Sequence, residues 1–198
     1  MPAENPQLDR NIEMRKITSR LNEAFRGGQT IWNTENLMLM RTLPRPIAVD
    51  FNGVLVNEHP PYVANPAAKD SLDQLREIGN VVVITYAAPW RRVQETLEDF
   101  GLWSDDIVLV SRDTLAPLLS QKERDSSEIS RYQTYSQLRR RRYSPIAFST
   151  DMFPKRVAPI FMKPFDVPII DNDVYNVINN RGMLGIHLKS FAPEIGLY

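Results

Sequence analysis

The chain has 198 residues, which at roughly 100 to 200 residues per domain fits one domain with appendages and excludes two large ones. With 42% hydrophobic and 24% charged residues a sizeable core can form, while the absence of cysteine excludes disulfides, thiolate metal sites and cysteine nucleophiles. Lys+Arg and Asp+Glu balance at 24 each, so no global field draws the protein to nucleic acid or membrane; any such attraction must be local.

The opening MPAENPQLDR is polar, and no apolar run approaches the length of a membrane span, so a soluble, intracellular (cytoplasmic) protein is expected, with no membrane partner. Leu8, Ile12, Ile17, Leu21 and Phe25 recur at spacings of four or five before Gly27-Gly28, which predicts an amphipathic helix over 8–26 with a glycine stop. That helix packs on the core or on a protein partner. Trp32, Met38 and Met40 read as packing residues of the same N-terminal arm. After Pro44 and Pro46, Ile47 to Phe51 reads as a buried strand ending at Asp50.

Ala68, Leu72, Leu75 and Ile78 predict a helix over 65–78, closed by Gly79. Val81 to Thr85 is β-branched without interruption, as expected for a central parallel strand buried on both faces. Trp90, Val93, Leu97 and Phe100 predict the next helix, and Ile107 to Ser111 a third strand. Residues 112–144 break this rhythm and carry eight positive against four negative side chains, whereas 46–111 carry four against ten. Beyond them, 145–149 and 167–171 read as strands with a helix over 154–162 between, and Leu184 to Leu188 closes the sheet. Alternating strands and helices indicate a doubly wound, Rossmann-like α/β fold with a parallel sheet. The chain divides into a helical arm, 1–45, and an α/β domain, 46–198, with a basic insertion at 112–144.

In such sheets ligands bind outside the carboxyl ends of the strands, where this chain carries Asp50, Thr85 and Asp171. An Asp after a strand is also a common helix cap or turn residue, and the three meet only if their strands are neighbours. The two histidines, His59 and His187, lack ligand-like spacing and read as structural.

Ile47-Ala48-Val49-Asp50-Phe51-Asn52-Gly53-Val54-Leu55 resembles the first motif of the haloacid dehalogenase-like superfamily. Val82 to Thr85 is similar to the second motif, Ile169-Ile170-Asp171-Asn172-Asp173 to the acidic fourth, and Gly182 to Ile186 to the turn and strand that follow it. The resemblance spans roughly residues 46–190. It implies phosphoryl transfer through an aspartyl-phosphate, with Asp50 as nucleophile and Mg²⁺ held by Asp50, the Asn52 carbonyl and Asp171. Thr85 and the backbone N–H groups after Asp50 would then meet the phosphate, and Gly53 would leave room for the loop to wrap it. A lysine must offset the remaining charge; Lys155 is favoured over Lys163, which should lie at the opposite edge of the sheet.

Asn52 stands where the family usually has a second Asp acting as general acid, and Asn172 where it often has another acid. Two readings follow: a Mg²⁺-dependent phosphatase, or a catalytically degenerate relative serving as a binding or assembly subunit. Only about ten residues separate Leu55 from the helix near Pro66, enough for a flap but not a cap domain, which suits a large phosphorylated substrate. Within the insertion, Arg131, Arg139, Arg140, Arg141 and Arg142 interleave with Tyr132, Tyr135 and Tyr143, a pattern that serves a nucleotide or nucleic-acid partner or a solvated charged face.

Overall fold

A computed structural model describes residues 6–58, 60–86, 88–115, 157–180 and 182–188. The elements run α1 (Pro6–Arg26), α2 (Thr34–Thr42), β1 (Pro46–Asp50), α3 (Ala68–Ile78), β2 (Asn80–Ile84), α4 (Trp90–Asp99), β3 (Val108–Val110), α5 (Arg112–Leu115), β4 (Pro168–Asp171), α6 (Val174–Asn179) and β5 (Leu184–His187). All strand pairs are parallel, and the order is β3-β2-β1-β4-β5. The chain therefore winds outward from β1 in one direction, then returns and winds outward in the other. β1 and β2 are buried almost throughout because their Val, Ile and Ala side chains meet packed layers on both faces. None of the described helices is long and apolar enough to cross a membrane.

The N-terminal helix packs on the core. Leu21 and Phe25 are buried with Val93, Leu97 and Leu109, and Asn22 makes two contacts with the outermost strand. Its amide nitrogen donates to the Ile107 carbonyl at 2.7 Å, and its amide oxygen accepts from the Leu109 N–H at 3.1 Å. One side chain thus replaces the neighbouring strand that β3 lacks on that side. The helix α2 has no counterpart in the sequence reading. It starts at Asn33, whose side chain accepts from the Glu35 N–H, and it buries Asn36 and Met40 one turn apart. Met38 lies on the other side of α2 and is 63% exposed, so the packing role expected for it is corrected. Trp32 does pack, with its indole N–H on the Leu115 carbonyl.

Ile78 ends its apolar stripe in solvent, and the helix expected over 154–162 is also corrected where it is described. Residues Ala158–Ile160 form a single 3-10 turn, and Phe161 is extended. Pro159 is at an early position of that turn, where no N–H is needed, and the turn ends at the extended Phe161, shortly before Pro164, whose ring disfavours a helical Lys163. A second 3-10 turn, Pro164–Asp166, leads into β4. The strand expected over 145–149 lies outside the described residues.

Arg76 ties α3 to the loop before β3. Its Nε and Nη2 both donate to Asp106 Oδ2, at 3.0 and 2.9 Å, with further bonds to Ser104 and Asp73. Burial alone pushes the Asp106 carboxyl up, but the hydrogen bonds from Arg76 and Ser104 outweigh it and hold the group below its ordinary value of 3.8. The lowered folded value means that the unfolded chain binds the proton more readily. The pair's contribution is therefore complete above that ordinary value and is lost as pH falls through the folded one. The side chains are 31% and 35% exposed, so solvent screening limits the gain. Asp106→Asn is expected to cost about 1 kcal/mol at pH 7, and urea melts of parent and variant should converge as the pH is lowered below the carboxylate range.

Candidate active site at the strand ends

The winding direction reverses at β1, and its two neighbours, β2 and β4, end beside it. Asp50 is level with Ile84 in the register, one residue before Thr85. Val49 is level with Ile170, so Asp171 adjoins Asp50 across the β1–β4 pair. The strand ends singled out from sequence are thus brought together, at the crevice where open α/β sheets take their ligands. All three side chains are buried, with Asp50 8% and Asp171 0% exposed.

Local hydrogen bonds fix each group. The Phe51 N–H donates to Asp50 Oδ1 at 2.8 Å and orients that carboxylate. Asp171 Oδ1 accepts from the Asp173 N–H at 2.9 Å, and the Asn176 amide lies 3.3 and 3.4 Å from its two oxygens. The Thr85 hydroxyl donates to Asn52 Oδ1 at 3.2 Å. Gly53 adopts a left-handed φ of +76°, and its N–H goes to the Val56 carbonyl at 2.7 Å. Its place in the site is steric: a Cβ there would lie 2.1 Å from Asn172 Nδ2, so glycine lets that amide rest on the loop.

Residues 52–64 form the flap. Val56 bridges both Asn52 and Ala64, and the Asn57 side chain donates to the Pro61 carbonyl while accepting from the Val63 N–H. Tyr62 stands edge-on to Phe51, with ring centroids 5.5 Å apart. Glu58 connects this flap to the far strand. Its carbonyl accepts from Asn52 Nδ2 at 3.1 Å, and its carboxylate accepts from Asn172 Nδ2 at 2.7 Å. His187, read from sequence as structural, reaches the same cluster through Nε2, 3.0 Å from the Asn172 carbonyl. Neither Glu58 nor His187 stood out in the sequence as a site residue, because Glu58 joins the site through the flap and His187 through the pairing of β5 with β4, neither through a motif.

Lys163 lines a groove of about 480 Å³ with Pro46 and Pro168, which begin β1 and β4. It therefore lies at the opposite edge of the sheet from Asp50, as the sequence indicated. Lys155, Arg139, Arg140, Arg141, Arg142 and His59 lie outside the described residues. Among the described residues no three His, Asp or Glu side chains cluster to hold a metal. The register puts the carboxylates of Asp50 and Asp171 side by side, oxygen donors of the hard kind that suits a cation keeping several of its waters.

No protein-family model matches the chain, and no curated protein or solved structure matches it either.

Proposed function

We propose that this chain is a phosphomonoesterase of the haloacid dehalogenase-like type, with Asp50 as nucleophile. The observation that carries the reading is the placement of Asp50 between Asp171 and Thr85 at the point where the sheet reverses its winding. Two buried carboxylates on adjoining strand ends repel one another, which makes the spot costly unless positive charge is present.

In this reading an oxygen of Asp50 attacks phosphorus and the bond from phosphorus to the leaving oxygen breaks. Water then attacks the phosphorus of the aspartyl-phosphate, and the bond to Asp50 breaks. Asp50, Asp171 and the Asn52 carbonyl would hold Mg²⁺, which supplies charge that offsets the repulsion between carboxylate and phosphate. Thr85 would exchange Asn52 Oδ1 for a phosphate oxygen, and Lys155, favoured over Lys163 from the order of elements, would supply the counter-charge. A nucleotide or nucleic-acid end as substrate, met by Arg139 to Arg142, rests on the sequence alone.

A second reading, binding without turnover, has its own support. The Asn52 and Asn172 amides are tied together through Glu58, as structural links would be. One experiment separates the two. Phosphate release from nucleotides, sugar phosphates and 3′-phosphorylated oligonucleotides is expected with Mg²⁺ and should stop on chelation. Phosphate binding without any release would favour the second reading, and release indifferent to chelation would remove the metal from the first.

A further inference from the structure

The two edges of the sheet are finished differently. At the β3 edge, Asn22 of α1 takes up the Ile107 carbonyl and the Leu109 N–H, and the helix covers the strand. The β5 edge has no such cover among the described residues. Leu184 and Leu188 donate their N–H groups inward, to the carbonyls of Val167 and Asp171, and the pairing with β4 is unbroken between them. Successive residues of a ladder turn their backbone groups to opposite sides, so Gly185 and His187 present theirs outward. β5 is the last strand of the sheet, and no described residue receives those groups. Sheets ordinarily guard such an edge with a lysine, a proline or a bulge. β5 carries none of the three.

The side chains of β5 divide in the same way. Gly185 faces α6, where an added Cβ would lie 2.1 Å from Val177 Cγ1, so that helix covers one face. On the opposite face Leu184, Ile186 and Leu188 are 56%, 45% and 37% exposed. An apolar stripe on a parallel strand is normally buried under a helix. Here the run Leu184-Gly185-Ile186-His187-Leu188 reads nearly the same in both directions about Ile186. A segment with that symmetry is complementary to itself, as an isologous contact requires.

We propose that β5 is a self-association edge, on which β5 of a second copy pairs antiparallel about a two-fold axis at Ile186. The backbone and the side chains select the same register. Hydrogen bonds join Gly185 of each copy to His187 of the other, through the groups that point outward. Ile186 meets its own counterpart in a non-hydrogen-bonded pair, where side chains approach most closely, and Leu184 lies opposite Leu188. The apolar stripes of the two copies then form one continuous patch on the same face. No like charges oppose each other, because His187 lies opposite Gly185. A shift of two residues one way sets Leu188 against Gly182, and the other way Leu184 against Ser190, so either loses apolar pairs. The axis runs perpendicular to the sheet, so the strand-end crevices of the two copies open at opposite ends and neither obstructs the other. One short strand per copy is small beside the roughly 20 to 30 residues a side of a standard interface. The dimer is therefore a weak one, with a dissociation constant above about 1 μM.

Sedimentation velocity of the full chain, from about 1 μM to about 1 mM, is expected to show monomer passing reversibly to dimer. Ile186→Lys, at a position that solvent already reaches, sets two ammonium groups against each other at the axis and should weaken dimerisation on the order of 10²-fold or more. Ile78→Lys, which replaces an exposed apolar residue on α3, should leave it unchanged. The absence of cysteine in the chain allows a direct test of register. Cα atoms of a non-hydrogen-bonded antiparallel pair lie about 4.5 Å apart, within disulfide reach, so Ile186→Cys should give a covalent dimer on mild oxidation. Leu184→Cys should not, because its counterpart lies four residues along the second strand, roughly 14 Å away. A parent that stays monomeric at the highest concentration overturns the proposal and leaves the stripe to a different protein or to other residues of the chain. A dimer untouched by Ile186→Lys, or equal cross-linking of the two cysteine variants, places the contact elsewhere and overturns it as well.

Discussion

On the phosphatase reading, Asp50→Asn is expected to cut phosphate release by a factor on the order of 10⁴ to 10⁶ while the fold survives. An uncharged amide lacks the anionic oxygen that a carboxylate offers to phosphorus, so in that reading the nucleophile is gone. The structural tie is kept, because the Asn oxygen still accepts from the Phe51 N–H that now reaches Asp50 Oδ1 at 2.8 Å. Removing one of two adjoining buried carboxylates also relieves their repulsion. The melting temperature is therefore expected to be unchanged or raised, in keeping with the usual trade between stability and activity. Phosphate release and thermal melts measured side by side check both halves. A variant that hydrolyses as fast as the parent removes Asp50 from the chemistry.

The contrast between Asp50 and Glu58 shows how a site is legible only in part. Asp50, Thr85 and Asp171 are visible in sequence because each ends an apolar run, and apolar runs report buried strands directly. What the runs cannot carry is which strands are neighbours. β1 lies between β2 and β4, and the last two are separated by more than 80 residues of chain. Glu58 is invisible for a related reason: its meaning comes from a flap that folds it against Asn172, 114 residues away. Nothing about a Glu before His59 and Pro60 announces that contact.

The same limit applies to the fold. The predicted strands that fall among the described residues recur within a residue or two, whereas the short α2 is not legible because its apolar content is not periodic: Leu37, Met38, Leu39 and Met40 run together and only Met40 is fully buried. Local pattern also suggested a helix over 154–162, whose described part is only a 3-10 turn that ends at the extended Phe161, ahead of Pro164. On α1 the apolar positions were readable, but the most consequential side chain for attaching the helix is polar. Periodicity analysis discards an Asn on a helix as surface; Asn22 is 5% exposed.

Asn22→Leu is accordingly expected to destabilise the protein by about 3 kcal/mol, although leucine is the better helix former and is similar in size. The substitution strips the Leu109 N–H and the Ile107 carbonyl of their partners at the edge of the sheet, and α1 keeps water from replacing them. Each buried group left unpaired costs about 1 to 3 kcal/mol, and some compensation comes from the added apolar burial. In a chain of this length the loss corresponds to a fall of roughly 6 to 12 °C in melting temperature. Ser19→Ala, one turn away on an exposed position where Ser19 Oγ meets Glu23, should cost less than about 0.5 kcal/mol and serves as the control. Urea melts of the two variants beside the parent decide the matter. If Asn22→Leu proves as stable as the control, the edge of β3 does not depend on that amide, and α1 is held by its apolar face alone.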